Sequence, residues 1–314
     1  MNTCTIARLF KSFAVLLVLT FVSVTVVAEN SIQYQVDQSK FDAEVKELLV
    51  DLKHKDAAKR RNAAYAFSVK RNVLKKQEKT QAVLVLINTL KDTDPSVRKV
   101  VAKTLGALGR KNAVPPLIKA LQDKSWDVRR YAAMGLTSLG DTRASKHITK
   151  LIKNDLNSTV KWFSAIYFRN VKDKKEVPSL MALLNNTKLS INVRESAAHA
   201  LGGIGDSRAT SVLIKALKEK NHTLRARAAI ALGEIGDGKA IPAIASVLRD
   251  KNREVRLFAT IGLTEYKNPK VIPHLVKMLK DKDASIRKEA VKGLKKYPNK
   301  KVAKQALLKS SSKK

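Results

Sequence analysis

"ALGEIGDGKA", residues 231–240, places Gly233, Gly236 and Gly238 within ten positions. Taken alone it has the look of a degenerate phosphate loop, because glycine lets a backbone approach a pyrophosphate where a helix begins. The rest of the chain decides otherwise. The phrase returns as "ALGGIGDSRA" (200–209), "GLTSLGDTRA" (135–144) and "TLGALGRKNA" (104–113), and no strand-like run precedes any copy. The glycines are therefore expected to turn the chain between repeated units.

A Val-Arg pair or near equivalent lies upstream of each phrase. Its basic members are Arg98, Arg129, Lys161, Arg194, Arg225, Arg256 and Arg287, spaced by 31, 32, 33, 31, 31 and 31 residues. A fixed period in this range marks a solenoid of stacked units. Seven positions after the basic residue stand Phe67, Leu105, Leu136, Phe168, Leu201, Leu232, Leu263 and Leu294. Four after it stand mainly alanines, from Ala64 to Ala229, then Thr260 and Val291. Together with the apolar residue before the arginine, these offsets make one helical stripe. Four before it come Asp56, Asp94, Ser125, Asn157, Ser190, Asn221, Asn252 and Asp283. Each is able to cap a helix N-terminus through its side-chain oxygen. A segment such as "IPAIASVL" (241–248), with proline in its first turn, supplies the other helix of the unit.

The pattern D-x-x-VR-x-x-A-x-x-ALG-x-IGD-x-x-A-x-x-x-L, clearest over residues 221–248, resembles the short HEAT-like repeats of phycobilin lyases. The resemblance implies an all-α, right-handed α-α superhelix, a HEAT/armadillo-like solenoid of about eight two-helix repeats across residues 41–300. It also implies that the second helices line the concave side. The first unit departs from the pattern at Lys59 and in its longer exit, residues 68–79, as suits a terminal cap. Residues 29–40 are expected to form a lead-in, and residues 301–314 a basic C-terminal cap ending in a disordered tail, "KSSSKK".

Residues 1–28 are expected to be a secretory signal peptide, with Arg8 and Lys11 ahead of the apolar run "FAVLLVLTFVSVTVVA" (13–28) and cleavage after Ala28. That run of 16 residues is short of the roughly 20 a spanning helix needs, and retention as an uncleaved anchor is the alternative. Cys4 is the only cysteine, so the mature chain has no thiol for disulfides, metal or redox chemistry. A secreted or periplasmic location follows as an expectation. Removing the two signal cations from a formal charge of +35 leaves +33, a surface that attracts polyanions.

The basic column invites a nucleic-acid reading, but an acidic column, Asp92, Asp123, Asp155, Glu219, Asp250 and Asp281, runs six residues before it. Ion pairs between adjacent repeats explain both. The fourth repeat breaks its own rule in "VKWFSAIYFRN" (160–170), where Trp162, Phe163, Ile166 and Tyr167 exceed the core stripe. Trp126 and Tyr131 stand one repeat earlier, so six of the thirteen mature aromatics fall within residues 126–168. Aromatic faces beside Arg130 and Lys99 suit stacking of bases or sugars, or the anchoring of a partner helix. The plainer reading is that they fill gaps between helices. Tyr131, Trp162, Phe163, Tyr167, Arg130 and Lys99 are the candidate partner-binding residues.

No catalytic, cofactor or metal residue is assigned. Five histidines are scattered and expected to face solvent, and none is followed by Glu as in the His-Glu pairs of HEAT-like deoxyhypusine hydroxylases. The sequons at Asn157 and Asn221 fall on expected helix caps. The expected function is a non-enzymatic scaffold whose basic curved surface binds an acidic protein, an anionic polysaccharide or a lipid surface, with nonspecific nucleic acid as a further partner. The alternatives are a lyase- or hydroxylase-related enzyme and a nucleic-acid-binding protein.

Overall fold

A capping side chain sets where most second helices begin. Asp56, Asp94, Asn157, Asn221, Asn252 and Asp283 each accept a backbone N–H from the first helical turn; Ser125 and Ser190 hold the same position without a side-chain bond. The computed structural model describes residues 38–311. The segment expected to be a signal peptide, with Cys4, and the expected lead-in up to residue 37 lie outside the described residues.

Among the described residues there are seventeen α-helices and no strand. Eight two-helix units follow in order: α1 (Gln38–Asp51) with α2 (Ala57–Val69), α3 (Lys76–Thr89) with α4 (Pro95–Leu108), α5 (Val114–Ala120) with α6 (Trp126–Leu139), and α7 (Ser145–Asn154) with α8 (Ser158–Val171). Then come α9 (Val177–Asn185) with α10 (Ile191–Ile204), α11 (Thr210–Ala216) with α12 (His222–Ile235), α13 (Ile241–Ser246) with α14 (Arg253–Glu265), and α15 (Ile272–Met278) with α16 (Ala284–Lys295). A single helix, α17 (Lys301–Ser311), closes the stack. Helix α1 begins inside the expected lead-in, and α17 continues into the segment expected to be disordered.

The apolar column seven residues after the arginine, Phe67 through Leu294, is buried without exception. It forms the spine of one continuous core. Even-numbered helices of neighbouring units pack extensively on each other while odd-numbered ones touch only sparsely, so the stack curves with the even helices inside. No described helix is long and apolar enough to cross a membrane.

The three glycines of the opening stretch do three different things, a correction to reading all of them as turns. Gly236 ends α12 in the left-handed region, at φ +74°. Gly233 lies inside α12, and a Cβ there would sit 2.5 Å from Gly262 Cα on α14, so its bare backbone is what lets the two inner helices touch. Gly106 and Gly135 make the same contact between α4 and α6. Gly238 sits in the following corner with only ordinary contacts. In the fourth repeat Lys172 occupies the left-handed corner position, at φ 53°, a conformation that costs a residue with a Cβ about 1 kcal/mol.

The two charged columns form the expected ladder. Arg98 places Nε 2.7 Å and a terminal nitrogen 2.8 Å from the two oxygens of Asp123 in the next repeat. Its other terminal nitrogen donates to the Asp92 and Thr93 carbonyls, at 2.8 and 3.0 Å. Each such guanidinium thus staples its own interhelical turn to the next unit. Arg60, Arg129, Arg225 and Arg256 repeat the bidentate geometry with Asp92, Asp155, Asp250 and Asp281. Arg194 reaches Glu219 through one nitrogen. The ladder breaks between the fourth and fifth repeats. Lys161 bonds only the Asp155 carbonyl of its own turn, and Lys188 stands where the fifth repeat should carry its acid.

Candidate partner-binding surface

On the inner helices, the positions that escape the core stripe line the concave face. The structure divides the six candidate residues among three environments there. Arg130 on α6 lies over three rings, 4.5 Å from the centroid of Tyr131, 5.4 Å from Trp126 and 5.5 Å from Phe163. Asp127 accepts from Arg130 at 2.6 Å and pairs with Lys99 of the preceding repeat at 3.6 Å. Tyr131, Phe163, Arg130 and Lys99 are thus brought together across α4, α6 and α8. Trp126 is 43% exposed at the edge of this cluster.

Trp162 belongs to a second assembly. Its ring stacks on His199 of α10, centroids 4.4 Å apart at 19°, and Arg227 of α12 lies 4.3 Å from its centroid. The same guanidinium is 5.5 Å from Phe258 of α14. Trp162 therefore reaches over the fifth repeat to touch the sixth. Arg169 of α8 does likewise, bonding Glu234 of α12 at 2.5 Å. Beneath these two bridges α10 is buried from Ser196 to Ile204. It fits because Gly203 lies against the backbone of Arg169 and Gly202 against Ala231, each closer than a Cβ allows. Two side-chain straps thus clasp the fourth repeat to the sixth.

Tyr167 is withdrawn from the surface altogether. It is fully buried, and its hydroxyl donates to the Asp141 carbonyl at 2.5 Å and lies 3.2 Å from Ser145 Oγ. Burial pushes its pKa up to about 12, and its role is to satisfy a carbonyl at the preceding corner. Tyr266 serves the same kind of corner, donating to the Leu232 and Asp237 carbonyls.

His199 corrects the expectation that the histidines face solvent. It is buried, and that burial, with the charges of Arg227 and Arg169, pushes its pKa down to about 4. The unfolded chain takes up this proton near the ordinary 6.5 and the folded chain only near 4, so between those values the unfolded state binds more protons. Stability fully present above that window is lost as pH falls through it. Urea midpoints are expected to drop between about pH 6.5 and pH 4 in the native chain, and His199→Gln is expected to flatten that slope. An unchanged slope in the variant would assign the acid sensitivity elsewhere.

Two columns of exposed cations were not singled out in the sequence. Lys55, Lys124, Lys220, Lys251 and Lys282 stand five residues before the ladder cation, on the turn leading into each inner helix. Arg143, Lys175, Arg208, Lys239 and Lys270 stand fourteen after it, at the opposite corner. The same alignment carries both columns when read at these offsets. Asp141 and Asp206 at those corners are held at about 2, first by hydrogen bonds from Arg143 and Arg208. Among the described residues, no three His, Cys, Asp or Glu side chains gather into a set able to hold a metal.

A family profile described as HEAT repeats matches six overlapping stretches, residues 45–123, 83–166, 145–233, 177–259, 210–295 and 241–313. Solved structures with similar folds include an engineered protein, at 22% identity and TM-score 0.43, covering 85% of this chain and 82% of that one. Human deoxyhypusine hydroxylase is similar at 19% identity and TM-score 0.37, covering 84% and 99%. The CpcE and CpcF complex of phycocyanin lyase from Nostoc sp. is similar at 22% and 0.40, covering 92% and 99%. No curated protein matches the chain.

Proposed function

The chain belongs to the HEAT-repeat family, and on that premise we propose that it is an exported, non-enzymatic scaffold that binds an acidic partner through its basic curved surface. The observation that carries this reading is where the two kinds of charge lie. There are 62 Lys and Arg against 27 acids, and many of the acids are committed to the ladder, the corners or the clasp. The cations on the two turn edges face solvent, as do Lys119, Lys146, Lys150, Lys153, Lys215 and Lys277 on the outer helices. Each internal pair takes up one cation with one acid, so the surplus of cations is what remains on the surface, and the field of such a surface extends about 8 Å at physiological salt.

Binding driven this way falls steeply with salt. Affinity for heparin, a simple flexible polyanion, is expected to weaken about tenfold or more between 50 and 300 mM NaCl, measured by fluorescence titration. Equal affinity at both salts would remove the electrostatic basis of the proposal. Export rests on the pattern of residues 1–28, and N-terminal sequencing of the natural protein tests it by whether the chain begins at residue 29.

A further inference from the structure

The concave face is most uniformly basic at its N-terminal end. In the first three repeats its exposed or half-exposed positions carry Arg61, Lys99, Lys103 and Arg130, with Asp127 as the opposing acid. That carboxylate is already shared by Lys99 and Arg130. From the fifth repeat onward the corresponding positions are mixed: Glu195, Glu234, Glu254, Glu265 and Glu289 stand among Arg227, Lys288, Lys292 and Lys296, Glu265 and Glu289 are paired with two of these lysines, and the clasp covers the floor. Exposed aromatic surface lies at the basic end. Tyr65 on α2 is 54% exposed and Trp126 on α6 is 43% exposed. Arg130, Trp126 and Tyr131 are the residue types in which interface energy concentrates.

We propose that the concave face over α2, α4, α6 and α8 is the docking site for an acidic linear segment of a partner protein. The segment's carboxylates meet Arg61, Lys99 and Lys103, and an apolar side chain packs on Trp126. This rests on the acidic-partner reading above and gives it a place and a chemical class. A single-stranded nucleic acid fits less well, for two reasons. The Arg130 guanidinium already lies over the Tyr131 and Phe163 rings and over part of Trp126, leaving only the exposed edge of the Trp126 ring for a ligand. The two exposed rings lie two repeats apart, on the order of 20 Å at ordinary helix spacing, too far for successive bases to stack.

The test uses the full chain and a fluorescein-labelled 14-residue peptide of Glu and Asp carrying two Phe, with a 14-nucleotide oligo-dT of single-stranded DNA and heparin alongside. Trp126→Ala, which leaves the charge unchanged, is expected to weaken peptide binding about tenfold with unchanged circular dichroism. Arg61→Gln/Lys103→Gln is expected to weaken it at least fivefold more than the charge-matched Lys239→Gln/Lys270→Gln on the far corners. Equal losses in the two double variants, or an unaffected Trp126→Ala, would overturn the site while heparin binding leaves the broader reading standing. Tighter binding of oligo-dT than of the peptide through these same residues would overturn it in favour of nucleic acid. Failure of the native chain to bind heparin at all would instead remove the broader reading.

Discussion

Replacing Gly233 by alanine is expected to cost about 3 kcal/mol, the upper end of what overpacking removes. A helix-interior alanine gains about 1 kcal/mol over glycine in intrinsic propensity. The contact outweighs that gain, because the added Cβ would meet backbone, 2.5 Å from both Gly262 Cα and Gly262 O. Backbone cannot swing aside as a side-chain tip can, so α12 and α14 must separate. Gly236→Ala meets open space but must hold φ +74°, for an expected cost of about 1 kcal/mol. Gly238→Ala meets only Asn268 Nδ2 at 3.5 Å and is expected to stay within about 0.5 kcal/mol of neutral. Equilibrium urea unfolding of the three variants gives the ranking directly. A Gly233→Ala midpoint as high as that of Gly238→Ala would refute the close approach of the two inner helices.

Arg98→Ala carries the second large expected loss, about 2 kcal/mol, between the values for exposed and buried pairs because Arg98 and Asp123 are only partly buried. The change removes both bonds to Asp123 and leaves the Asp92 and Thr93 carbonyls without their donor. Burial works to raise the Asp123 pKa, but hydrogen bonds from Arg98 and the Ser125 N–H outweigh it and hold the carboxyl below 3.8. Its contribution is accordingly present above that value and lost as pH falls below it, a window separate from that of His199. Arg98→Lys should recover only a minor part, because an ammonium cannot match both carboxylate oxygens while also bonding the turn. Since each unit is stabilised mainly by its neighbours, the Arg98→Ala chain should unfold in two steps divided at the α4–α6 seam. A single transition with an unshifted midpoint would show that the seam is held by packing alone.

How far the sequence disclosed this molecule depended on whether a contact stays in register with the repeat. The core column, the caps and the ladder all join positions at a fixed offset within a unit or to the next one, so alignment alone exposes them. The Gly233–Gly262 contact is in register too, joining offset eight to offset six of the next inner helix as Gly106–Gly135 does, but a glycine there reads as a turn until those faces are known to meet. The Trp162–Arg227 contact skips a unit, which a pattern of neighbouring repeats does not encode. Tyr167 has the composition of a binding residue, but its place is set by a carbonyl 26 residues earlier in the chain. The candidate surface was thus legible as a region of the chain, while its membership was not.

The bridges from α8 to α12 also bear on how the molecule yields to tension. A solenoid pulled by its ends lengthens by opening the angle between successive units, like a coiled spring. Joining the fourth unit to the sixth removes that freedom around the fifth, so compliance is concentrated toward the two ends. The molecule then behaves as two soft arms on a stiff hub, and a load shared between them is borne first by the arms.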